Sequence, residues 1–91
     1  MDPLAVESRE LRKAHEALDA DPARALAILD AENAAQPAGQ LVEARAAERV
    51  VAMCKLRRGD APAAAASFAA KYPDSPFAAR IHAACAASTT R

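Results

Sequence analysis

QLVEARAAERVVAMCKLRR, residues 40–58, is the stretch on which the fold turns. It holds no Gly or Pro, and good helix formers dominate it. Pro37-Ala38-Gly39 sets off its front and Gly59-Asp60 its back. Ala47, Val50, Val51 and Cys54 follow helical spacing, while Ala46, Val50, Met53 and Leu56 cover an adjoining face. A surface helix carries one apolar stripe, so this wider one predicts neighbours on two sides. The stretch reads as the middle helix of a small all-helical stack.

Working outward, Asp2-Pro3 and Asp21-Pro22 are matching start signals: Asp caps free N–H groups, and Pro suits the first helical position. Leu4, Leu11 and Leu18, with Ala14, give the first helix an inward stripe. Ala25, Ile28 and Leu29, with Leu26 at the edge, do the same for the second. Gly59 suits the left-handed position after a helix, and Asp60 is expected to cap the fourth. In that fourth helix Ala61, Ala64, Ala65, Phe68 and Tyr72 share a face. Ser75-Pro76 opens a fifth, with Phe77, Ile81, Ala84 and Cys85 inward. The expected helices are 4–20, 22–35, 40–58, 61–72 and 76–87, forming one domain over 1–87 with a frayed tail at 88–91. The Asp21 break recurs 39 residues on at Asp60, and the Pro37 break 36 residues on at Pro73. That is the period of a two-helix repeat, whose hairpins bury their apolar faces only by stacking.

Twenty-eight of the 91 residues are alanine, and the aromatics are Phe68, Tyr72 and Phe77 alone. Close-packed, small-residue helices and a modest core follow, and a base-stacking surface does not. Net charge is zero but uneven: residues 1–45 hold nine acids and five bases, residues 46–91 three acids and seven bases. This points to solvated faces, end-to-end association, or an acidic partner on the C-terminal half. It is too little to favour nucleic acid. No apolar run nears the ~20 residues of a membrane span, so no membrane insertion is expected. A complete chain of this kind belongs in the cytoplasm; a piece of an exported or membrane-anchored protein belongs in the periplasm.

Lys71-Tyr72-Pro73-Asp74-Ser75-Pro76-Phe77-Ala78-Ala79-Arg80 resembles the repeat junction of tetratricopeptide-like proteins of the bacterial envelope, including BamD-like and YbgF-like modules. Asp21-Pro22-Ala23-Arg24-Ala25-Leu26 and Arg58-Gly59-Asp60-Ala61 look like that family's turn between the two helices of a repeat, and Ala52 falls at a small-residue position. The resemblance implies a five-helix right-handed stack, about two and a half repeats. It also implies a non-catalytic adaptor or scaffold that binds a protein or peptide.

No nucleophile arrangement, phosphate loop or metal-ligand spacing stands out, so neither enzyme chemistry nor a cofactor is expected. Glu7, Glu10 and Glu16 are spaced like a solvated face, balanced by Arg12 and Lys13. His15 and His82 read as core-edge or surface residues. With the 36-residue offset, Cys85 lies level with Arg49, roughly 7 to 8 Å short of Cys54 at the ~1.5 Å helical rise. Two buried free thiols are therefore expected. Arg45, Arg49, Met53 and Arg57 keep to one drifting face by four-residue steps, with Glu48 easing the Arg45–Arg49 repulsion. They are the candidate contacts for an acidic peptide or helix, Arg49 foremost. Phe77 and Ile81 are the candidate self-association residues for a homo-oligomer. A competing reading is a small regulatory helical domain that contacts nucleic acid through the basic C-terminal half.

Overall fold

The two Asp-Pro pairs act as their chemistry requires. The Asp2 carboxylate accepts the Leu4 N–H at 3.1 Å, starting α1 (Pro3–Ala17). Asp21 accepts the Arg24 N–H at 3.1 Å and starts α2 (Pro22–Ala35). The remaining elements are α3 (Val42–Lys55), α4 (Ala61–Lys71) and α5 (Ala78–Thr89). The structure, a computed structural model, describes residues 2–89, with no strand among them. Residues 90–91 of the expected frayed tail lie outside the described residues.

α3 packs against every other helix. Its Ala47, Val50, Val51, Ala52, Met53 and Cys54 are all buried, which is why its apolar surface is wider than one stripe. Ala14, Leu18, Ala25, Leu29, Ala61, Phe68 and Ile81 close on it from the other elements. The edges differ from the sequence reading. Leu4 is 38 % exposed and Leu56 36 % exposed, so neither belongs to the core. Leu26 is buried while Ile28 is only partly so, the reverse of their expected order.

The partner residues of α1 and α3 keep a near-constant spacing: Glu7 reaches Gln40 and Leu41, and His15 reaches Glu48, 33 residues on. A constant offset at both ends of a pair means parallel helices. α3 and α5 are likewise parallel, since Glu48 meets Arg80 and Cys54 meets Cys85.

Three expectations at the helix ends are corrected. α3 starts two residues late and has no side-chain cap of its own. Glu7 caps it from α1, accepting the Gln40 N–H at 3.0 Å and the Leu41 N–H at 2.8 Å. Its exit turns through Arg57 at φ 56°, not through Gly59. The Arg58 N–H donates to the Met53 carbonyl and the Arg57 N–H to that of Cys54, the paired bonds of a Schellman motif. Asp60 makes no cap bond to α4; its carboxylate grips Arg58 at 3.0 and 2.8 Å.

The thiol expectation is also overturned. Cys54 and Cys85 form a disulfide, with Cα atoms 5.0 Å apart. The closest residues of α3 and α5 are 31 apart in sequence, not 36, which cancels the five-residue mismatch that had separated them.

Candidate functional site

Glu7 belongs to a buried charged cluster and not to a solvated face. Arg45 is 0 % exposed; its Nη2 donates to the Gln36 carbonyl at 2.6 Å and lies 3.4 Å from Glu7, while Nη1 donates to the Glu32 carbonyl at 3.2 Å. Glu32, also buried, accepts from Gln36 Nε2 at 2.9 Å. The cluster ties α1, α2, the 36–41 turn and α3 into one unit. A buried cation left without these acceptors would be strongly destabilising, so Arg45 is a structural residue.

The other candidates of that face are also dispersed. Met53 is buried in the core and takes an Nη1–H contact from Arg49 on its Sδ at 3.2 Å. Arg49 Nε donates to Asp30 at 2.8 Å, bracing α3 on α2. Arg57 lies beyond the helix end, exposed, with its backbone left-handed. The four-residue steps do follow α3, but burial interrupts the face, so the four do not form one exposed surface. Glu48 turns away from Arg45 and pairs with His15 and Arg80. Ile81 is in the core, covered by its own chain, and Phe77 packs against that core while staying partly exposed.

A different surface is concave. α1 and α5 both lie on α3 with their backbones apart, and the gap is a groove of about 420 Å³. Leu41 and Ala44 of the α3 end form its apolar floor; Leu11 and Phe77 form opposing apolar walls. Glu48 is nearly buried at the base, and two groups reach it from opposite sides. His15 Nδ1 lies 2.9 Å from Glu48 Oε2 and 3.1 Å from Arg80 Nη2. One ring nitrogen cannot serve both: it donates to the carboxylate or accepts from the guanidinium. Burial lowers the Arg80 pKa from its ordinary value, with the Asp19 charge opposing. Arg12 stands exposed at the rim and makes no ion pair among the described residues.

A smaller groove of about 280 Å³ lies on the other side of α3, where α2 and α4 do not touch. Arg49 and Lys71 edge it, but Arg49 is held by Asp30 and Lys71 sits over the Tyr72 ring. Among the described residues no cluster of His, Cys, Asp and Glu could hold a metal ion, and no helix is long and apolar enough to cross a membrane.

The groove residues Leu11, Arg12, Leu41, Ala44 and Arg80 were not singled out as site residues in the sequence. Leu11 and His15 are four apart, and Phe77 and Arg80 three apart, so each pair is visible as a shared surface. Which surfaces oppose one another is set by the offsets between α1, α3 and α5, and only the fold supplies those. No family model, no curated protein and no solved structure matches this chain.

Proposed function

We propose that this chain is a non-catalytic protein-interaction module of tetratricopeptide-like build, and that it binds a short acidic, partly apolar segment of a partner in the α1/α3/α5 groove. The observation that carries the reading is the groove itself: apolar floor and walls, with the exposed guanidinium of Arg12, unpaired among the described residues, on the rim. The parallel run of α1, α3 and α5, each separated from the next by a shorter connecting helix or one of equal length, supports the stacked-hairpin reading. An apolar side chain of the partner would lie between Leu11 and Phe77, and its carboxylate would face Arg12. Binding on a preformed surface of this kind orders few of the protein's own side chains, which favours a measurable affinity from a small area.

The test uses an array of peptides of about ten residues that combine Asp or Glu with Leu, Ile or Phe, scored by fluorescence anisotropy. Some of these peptides are expected to bind wild type. Leu11→Asp or Arg12→Glu should then weaken binding at least tenfold (about 1.4 kcal/mol) with the helical circular dichroism unchanged. Equal binding by wild type and both variants would place the peptide elsewhere, and no binding by any peptide would remove the reading.

A further inference from the structure

We infer that the Cys54–Cys85 disulfide is a redox latch: its reduction by a dithiol frees α5 and so dismantles the groove. The second part rests on the binding role just proposed; the first does not.

Apart from the disulfide, α5 is held mainly by small-residue packing on α3. Six of its twelve residues are alanine, and Ile81 is its one fully buried side chain among the described residues. Phe77, Ala84 and Cys85 add only partial burial. α3, by contrast, buries eight side chains, two of them charged and paired. The polar ties of α5 include Arg80 to Glu48 and to His15, and it has a smaller contact with α4.

α1, α2 and α3 also hold one another through contacts independent of α5. The Glu7–Arg45–Glu32 cluster and the Ala14, Leu18, Ala25, Leu29 and Val51 core join α1, α2 and α3 without it. The latch can therefore open locally, because low-stability elements detach before the core does.

The bond is reachable. It lines an open cavity of about 460 Å³ with Ala61, Pro62, Arg57, Arg58 and His82. Cys54 is 2 % exposed while Cys85 is partly exposed, so attack falls on the Cys85 sulfur. One thiolate of the dithiol bonds to Cys85 Sγ, and Cys54 Sγ leaves as a thiolate in the cavity that Arg57 also lines, whose charge favours it. The second thiol of the reductant then attacks its own mixed-disulfide sulfur and releases Cys85. Two electrons pass from the dithiol, which becomes a disulfide, and the two cysteines take up its two protons.

Release of α5 removes Phe77 and Arg80, one whole wall of the groove. Hydrogen exchange by mass spectrometry, on protein oxidised or held in dithiothreitol, tests this directly. Amides in α5 should lose protection by a factor on the order of a hundred or more on reduction, while those of α1–α3 keep theirs. The Cys54→Ala/Cys85→Ala variant, with a helix-favouring methyl at each site, should show the same pattern without reductant. Unchanged protection in α5, or loss spread over all five helices, would overturn the latch. A peptide that binds the oxidised groove should bind the reduced protein at least tenfold more weakly; equal binding would overturn the gating. A peptide series that binds neither form would remove the binding role and leave the exchange result standing.

Discussion

Gly39 shows how a single residue can be fixed by a neighbour and not by its own backbone. No glycine here has a positive φ. A Cβ at position 39 would lie 2.3 Å from Glu7 Oε2 and 2.7 Å from its carboxyl carbon. That carboxylate cannot swing aside cheaply, because it is buried and holds two N–H groups of the α3 start as well as facing Arg45. Gly39→Ala is therefore expected to cost roughly 2 to 4 kcal/mol, the loss of one or two charge-assisted hydrogen bonds. In urea melts the Glu7→Ala/Gly39→Ala pair should be scarcely less stable than Glu7→Ala alone, since the clash needs both groups. A Gly39→Ala protein that melts like wild type would refute the account. Gly59 is the opposite case: a Cβ there meets nothing within 4 Å, and the left-handed turn next to it falls on Arg57.

Helix starts separate a cap from its look-alike. Asp21 and Asp60 both precede a first turn containing proline, yet only Asp21 accepts a backbone N–H. Asp21→Ala should cost about 1 kcal/mol, and Asp60→Ala, which loses only an exposed, solvent-screened pair with Arg58, clearly less. Equal losses in thermal melts would show that sequence context alone decides the cap. This contrast also marks what the chain reveals by itself. Five helices, their order and the central place of residues 40–58 are legible because propensity, Asp-Pro, Ser-Pro and apolar spacing are local signals. The buried charges of Glu7, Glu32, Arg45 and Glu48 are not, because local pattern assigns any Glu or Arg to solvent. Their partners are far off in the chain, 38 residues for Glu7 and Arg45 and 33 for His15 and Glu48. The disulfide was hidden for a related reason. Turn-to-turn distances set an offset of 36, whereas the packed faces of α3 and α5 meet at 31. Closing that loop contributes roughly 3 to 4 kcal/mol if its effect is entropic, more than the thin apolar face of α5 suggests.

At the scale of the molecule, the charge split between the halves is partly closed within one chain. Lys55 donates to Asp19 at 2.9 Å and Arg49 to Asp30 at 2.8 Å, so two bases of the C-terminal half neutralise two acids of the N-terminal half. This weakens the electrostatic case for end-to-end association, since those charges are no longer free to attract a second copy. It also gives stability a direction with pH. The hydrogen bond and charge of Lys55 hold the Asp19 carboxyl below its ordinary value, and the Arg58 hydrogen bond does the same for Asp60. A depressed carboxylate contributes stability that is present above the unfolded value, about 3.9, and is lost as pH falls through the folded one. Both groups are fully exposed, so the contribution is small and screened by salt. Melting temperature should therefore fall between pH ~5 and ~3, and the Asp19→Asn/Asp60→Asn variant should fall less steeply. Adding about 1 M salt should narrow the gap between the two proteins, because the Debye length shrinks to roughly 3 Å. Parallel acid slopes for wild type and variant would mean that these bridges hold the helices no better in the folded state than solvent does.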